Sequence, residues 1–269
     1  MAFFAQREEL ITSSKTWVAP EAMDQKFFIR IWGAGASGAF SGDINNPGGA
    51  GGGAGYMAEG EFTIPVNTRI EVILGEGGPS IKTDKLNDLD DYLIGKSGGT
   101  SCFGTYLSAN GGRGGFNDQG GIGGNNGGAP GMTGFGGYGG NGIIQSVDGV
   151  VYRSGGGAMA VNGVGRGGSA DYTEGDAGPA AGGAGCMVLS VDPITNVATF
   201  KIGAGGDGMC YVIYHQKIEI PEGTEVEDVI EVPDEELDNP SDGTEDTTED
   251  TNNENTDTVD EVEPSTDET

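Results

Sequence analysis

GGRGGFNDQGGIGGNNGGAPGMTGFGGYGGNG, residues 111–142, is the stretch on which the fold turns. It opens a segment from Gly111 to Gly185 in which 30 of 75 residues are glycine and no apolar run is long enough for an ordinary core. Glycines recur there at a local period of three: Gly111/Gly112 with Gly114/Gly115, Gly120/Gly121 with Gly123/Gly124, then Gly128, Gly131 and Gly134, then Gly136/Gly137 with Gly139/Gly140. Three residues per turn is the period of the polyproline II helix.

Two structures compete for such a run. A flexible glycine linker is the plain one, because ordering 75 residues costs on the order of 100 kcal/mol and glycine lies at the costly end. The alternative is a lattice of extended segments packed side by side, with amides and Cα–H groups bonding to neighbouring carbonyls, an approach that only glycine permits. Collagen is disfavoured, because the triplet register shifts at Asn125/Asn126 and near Phe135. Phe116, Ile122, Met132, Phe135, Tyr138, Ile143, Ile144, Val150, Val151 and Tyr152 punctuate the run where a solvating linker would carry Ser, Glu and Lys, so the packed lattice is expected.

Around the glycines the chain reads as strands. Strand signals stand at Trp17, at Phe27–Trp32, at Gly55–Ile64 and Thr68–Leu74 joined by a Pro65-Val66-Asn67 turn, and at Thr100–Phe103 and Tyr106–Asn110. In Phe27–Trp32 alternation sets Phe27, Ile29 and Ile31 on one face, with Phe28, Arg30 and Trp32 on the other. Gly142–Arg153 reads as a hairpin around Val147-Asp148-Gly149, and CMVLSV, NVATFKIG and GMCYVIYH are the last strands. The polar insertion 76–97, with Asp84, Asp88, Asp90 and Asp91, reads as a surface loop; it lacks the spacing of a calcium loop. The expected fold is all-β: a β-sandwich-like frame with packed polyglycine II segments and an acidic C-terminal tail. Its parts are an attachment arm over 1–14, or a partial helix from Arg7 to Ile11, a glycine-rich β domain over 15–216, and a disordered tail over 217–269.

Charge is uneven. Residues 217–269 hold 22 acids and one lysine, a net of −21, and the rest holds 20 acids and 12 bases, a net of −8, which together make −29. This balance argues against nucleic acid or an anionic membrane as a partner. Within the tail, IEIPEGTEVEDVIEV alternates Val and Ile with acids and reads as an edge strand to be added to a partner's sheet. MAFFAQREEL lacks the basic start and apolar core of a secretory signal, and no 18-residue apolar run offers a membrane span, so folding in a cytoplasm is expected.

No catalytic or metal pattern stands out. Cys102, Cys186 and Cys210 form no CxxC pair and fit buried reduced thiols; the single His215 lies in a strand-like run, so neither a zinc site nor a triad has its parts. Gly33–Gly38 fits GxGxxG, but AFSGDINNPGG after it cannot form the helix that would hold a pyrophosphate. Gly95-Lys96-Ser97 lacks the P-loop's first glycine, where Asp90 stands. Glu59 and Glu61 lie among strand formers and read as solvent-facing. The expectation is no enzyme, no cofactor and no metal.

TWVAPEAMDQKFFIRIWGAGASG, GGAGGGAGYMAEGEFTIPVNTRIEVILGEGG, GGTSCFG and GGDGMCYVIYH together resemble the glycine-rich domains at the ends of bacteriophage tail fibres and tail-tip proteins, over about residues 12–215. The matching positions are Trp17, Pro20, Trp32–Gly35, Gly48–Tyr56, Leu74–Gly78 and Gly205–Tyr214. The long repeat is similar, by composition, to the tail-fibre-tip adhesins of T-even phages, in which a polyglycine II sandwich presents host-binding loops. CMVLSVDPITNVATFKIGAGG and the acidic tail depart from both patterns.

The resemblance implies a non-enzymatic virion protein, assembled in the host cytoplasm, that binds a host receptor without entering the membrane and contacts other tail or fibre proteins, with a homotrimer as one admissible state. Receptor-binding candidates are Phe116, Asn117, Asp118, Asn125, Asn126, Phe135, Tyr138, Asp171, Tyr172 and Glu174, aromatics that stack on sugar rings and polar groups that bond hydroxyls; plain turn chemistry explains the same residue types. The alternative is a structural virion component, a fibre connector or decoration protein.

Overall fold

Alternating apolar and polar side chains turn the non-glycine runs into strands, and the computed structural model of the chain describes residues 2–40, 48–116, 133–134, 143–147, 150–154, 157–160, 165–168, 175–192, 194–195, 197–218 and 230–232. In chain order the strands are β1 (Ala2–Ile11), β2 (Lys15–Val18), β3 (Lys26–Trp32), β4 (Gly48–Gly49), β5 (Met57–Thr63), β6 (Arg69–Ile73), β7 (Ile81–Thr83) and β8 (Ser101–Phe103). Then come β9 (Leu107–Ala109), β10 (Thr133–Gly134), β11 (Ile143–Val147), β12 (Val150–Ser154), β13 (Met187–Val191), β14 (Ala198–Ile202), β15 (Met209–Ile218) and β16 (Ile230–Val232). Two short 3-10 turns, Met23–Gln25 and Leu86–Tyr92, are the helical elements among the described residues, and the fold is all-β.

A sandwich frames the molecule. One sheet has the order β10-β5-β3-β15-β1-β16, the other β2-β6-β8-β9. Between them lie Phe27, Ile29 and Ile31 of β3, with Trp17, Ile70, Val72, Phe103, Leu107 and Val212, all buried. Trp17 packs edge-on against Phe27 with ring centroids 5.3 Å apart. The expected alternation of β3 is present, although Trp32 on the outer side is also buried, beneath Ala160, Ala180 and Ala181.

At one end of this sandwich six strands run into glycine. β3 continues as 33–40, β6 as 74–78 and β9 as 110–115, while β5, β8 and β15 are entered from 48–56, 94–100 and 203–208. Bulky side chains hold two packed sheets about 10 Å apart, whereas backbones bonded directly lie at about half that separation. Glycine is what allows the layers to close. The amides of the central segment, 33–40, then point in turn to three different neighbours. Ala34 donates to Gly99 (3.0 Å), Gly35 to Gly206 (2.8 Å), Ala36 to Gly53 (2.9 Å), Ser37 to Lys96 (2.9 Å), Gly38 to Gly203 (3.2 Å) and Ala39 to Ala50 (2.9 Å). This three-residue rotation is the signature of a polyproline II helix; a strand alternates between two sides. As the segment advances its acceptors fall, 99 then 96 and 206 then 203, so these neighbours are antiparallel.

Its carbonyls accept from three further segments: Gly112 bonds Ala34, Gly78 bonds Gly35, and Gly183 and Cys186 bond Ala36 and Ala39 at 2.8 and 3.0 Å. The 33–40 segment therefore has a ring of neighbours on all sides. A Cβ on Gly35 would stand 1.8 Å from the Ala181 carbonyl oxygen, and one on Gly38 1.9 Å from that of Ala184. The lattice so begins well before Gly111 and ends after Gly185; its described segments extend from 33 to 208, beyond the range that the glycine density advertises.

At its far end the lattice meets a second core, Phe40, Leu89, Tyr92, Cys186, Phe200 and Ile202, under the β13-β14-β7 sheet. Three expectations are corrected here and at the sandwich edge. The insertion 76–97 is not a plain surface loop: it contributes β7 and the 3-10 turn, whose Leu89 is wholly buried because residues three apart share one side of such a turn. Arg7–Ile11 is no helix but the second half of β1, registered along β15 from Phe3↔Ile218 to Ile11↔Cys210. The Val/Ile-acid run of the tail supplies β16 to this chain's own sheet, Phe4 opposite Ile230. The hairpin read over 142–153 is present as β11 and β12, which β12 joins to β4 in parallel.

Candidate functional site

The far end of the lattice brings three exposed apolar residues, Leu93, Ile94 and Phe116, to one place. Segment 94–100 leaves the second core at Tyr92 and runs beside 110–115, Gly95 donating to Gly115 at 2.9 Å and Gly98 to Gly112 at 3.0 Å. That pairing brings Ile94 opposite Phe116 in an antiparallel bridge. Ile94 is 59% exposed, Phe116 50% and Leu93 41%. Beneath them Tyr92 is buried; its hydroxyl donates to the Ser80 carbonyl at 3.4 Å, and Lys96 Nζ lies 5.4 Å from its ring centroid. Burial, and secondarily the charge of Asp91, raises the Tyr92 hydroxyl above its ordinary range, so it stays neutral.

Polar groups fix this end. Ser37, fully buried, accepts from the Lys96 amide at 2.8 Å and donates to the Gly38 carbonyl at 3.2 Å. Asp176 pairs with the buried Lys201 at 2.8 Å and accepts from the Ala204 amide at 2.9 Å. In the β13–β14 hairpin Asp192 accepts from the amides of Ile194 (2.7 Å) and Thr195 (3.0 Å), bonds that hold its carboxyl below the usual range. Ile194 follows at 92% exposure.

Of the sequence-derived receptor candidates, Phe116 is placed on this surface. Asn117, Asp118, Asn125, Asn126, Phe135, Tyr138, Asp171, Tyr172 and Glu174 lie outside the described residues. Leu93 and Ile94 were not among the candidates; their signal is the apolar Tyr92-Leu93-Ile94 run that ends an acidic segment immediately before Gly95.

Burial pushes the Cys186 and Cys210 thiols up to about 12, so both are protonated at neutral pH, and among the described residues no three His, Cys, Asp or Glu side chains converge as a metal-binding group. The three cysteines are unpaired, with Cys102 half-buried. No helix among the described residues is long and apolar enough to cross a membrane.

No curated protein matches the chain. A family model described as a glycine-rich domain matches residues 11–215, from the last residue of β1 through most of β15, and so takes in the four-stranded sheet, β3, β5, β10 and most of β15 of the six-stranded sheet, and every described lattice segment, while β16 and nearly all of β1 lie outside it. The chain belongs to this glycine-rich domain family.

Proposed function

We propose that the protein is a non-enzymatic adhesin at the tip of a bacteriophage tail or tail fibre, which binds a host surface receptor through residues at the far end of its glycine lattice. The sequence resemblance to phage tail and fibre-tip domains supplies the setting. The observation that carries the reading is the exposed trio Leu93, Ile94 and Phe116, held on a backbone-bonded support, with Phe116 the first residue in sequence of the Phe116-Asn117-Asp118-Gln119 interruption. A contact surface on a rigid support binds without first ordering a flexible chain, which removes one of the main costs of association.

Binding of the labelled protein to host cells tests this. Replacement of Ile94 and Phe116 together by Ala is expected to weaken adsorption by about tenfold or more, the effect of removing two anchors from a small contact. Tyr138→Ala and Tyr172→Ala test the outlying candidates in the same assay. Unchanged adsorption in all of these variants contradicts the adhesin reading. Immunogold labelling of intact particles separates it from a connector or decoration role: label at a distal tip supports the adhesin, label along a shaft or head supports the structural component.

A further inference from the structure

The solvent side of an antiparallel sheet ordinarily carries polar residues, whereas the outer face of the six-stranded sheet interleaves charged residues with apolar and aromatic ones. Register across β5, β3, β15 and β1 gives one row of Glu59, Arg30, Tyr211 and Leu10, and the next of Glu61, Phe28, Ile213 and Glu8. Leu10 is 53% exposed, and Phe28, Tyr211 and Ile213 are half-buried, so four apolar or aromatic side chains from three strands make one patch. Toward the lattice the patch leads past Met209 into a cleft of about 340 Å³ whose walls include Thr12, Ala177, Pro179 and Asp207.

The rim is anionic. Glu8, Glu61 and Asp207 are exposed, while the Arg30 guanidinium is already engaged, 2.7 Å from Glu59 and stacked 5.4 Å from the Phe28 ring centroid. Lys26 faces Glu61 at 3.7 Å. A second copy, with the same rim and the same net charge of −29, is electrostatically a poor occupant.

We propose that this face and its cleft form a docking surface for a cationic segment of a partner protein, one that seats an aromatic or aliphatic side chain in the cleft and sets Lys or Arg side chains over Glu8 and Glu61. The surface lies on the sandwich, away from Leu93, Ile94 and Phe116, so the proposal does not depend on the adhesin reading. Apolar anchors give such an interface its affinity and the charged rim its selectivity.

The experiment is a nitrogen-15 NMR titration of the full chain at physiological ionic strength with a synthetic peptide alternating Lys with Leu and Trp, and with its Glu-for-Lys counterpart. Shifts are expected to cluster at Leu10, Phe28, Met209, Tyr211 and Ile213 with the Lys peptide and to be absent with the Glu peptide. Glu8→Lys combined with Glu61→Lys, which changes exposed positions and is checked for folding by its own spectrum, is expected to raise Kd for the Lys peptide about tenfold. The proposal is overturned by shifts confined to the acidic residues 233–269, by equal shifts at the face with the Glu peptide, by an unchanged Kd in the double variant, or by no shift at the face at millimolar peptide.

Discussion

Gly35 has backbone on the side where any other residue carries Cβ: that atom would lie 1.8 Å from one carbonyl oxygen, with no side chain there to move aside. Gly35→Ala is therefore expected to destabilise the fold by about 3 kcal/mol or more in denaturant unfolding, at the upper end for overpacking because the neighbour is main chain. Gly60→Ala is the contrast. The nearest atoms to its Cβ would be those of the Phe62 ring, at 3.0 Å, and a ring can rotate away, so a loss below about 1 kcal/mol is expected. The buried thiols give a pH signature at the same scale. Cys186 and Cys210 have folded-state values of about 12 against an ordinary 9.0, so the unfolded chain ionises first. Their contribution is complete below pH 9 and is lost as pH rises toward 12, by up to about 1.4 kcal/mol per pH unit for each thiol. Urea titrations between pH 8 and 11 check the slope, which Cys186→Ala is expected to reduce.

Among the elements, β1 is joined to the opposite sheet by one carboxylate. Glu9 accepts from Trp17 Nε1 at 2.9 Å and from Lys15 Nζ at 2.5 Å, and Trp17 is buried. Glu9→Ala leaves a buried indole N–H without its acceptor and is expected to cost about 1 to 3 kcal/mol, while Glu9→Gln, which keeps an acceptor, is expected to cost less; the shift in Tm ranks the two. The elements also show what was legible beforehand. Period-two alternation located β3 within a residue, and Pro65-Val66-Asn67 located the β5–β6 turn, where Asn67 takes φ 63°. Two elements escaped for physical reasons. The charges of Arg7, Glu8 and Glu9 mask the alternation of β1, whose Arg7 stays exposed, and four aspartates conceal the buried Leu89 and Tyr92 on which the 3-10 turn is anchored.

For the whole molecule, the glycine spacing was enough to expect backbone-bonded packing but not to say which segments pair, because glycine has no side chain with which to specify a neighbour. The pairing follows the sandwich. β3, β5 and β15 are adjacent strands, and 33–40, 48–56 and 203–208 remain adjacent when they become lattice. The far core then closes the opposite end with Phe40, Cys186 and Ile202 at the tips of three lattice segments. The site was less legible than the fold: Phe116 was visible as an aromatic in a glycine run, whereas Leu93 and Ile94 join it only through the pairing of 94–100 with 110–115.

Amide hydrogen exchange at Gly33–Phe40, residue by residue, tests the lattice most directly. Every amide in this segment, from the bond of Gly33 to Tyr56 through that of Phe40 to Tyr92, donates to another segment, so protection is expected at all eight consecutive positions and at a level close to that of the β3 core. Protection at alternate residues would identify an edge strand instead, and exchange at the rate of an unstructured peptide would contradict the lattice altogether.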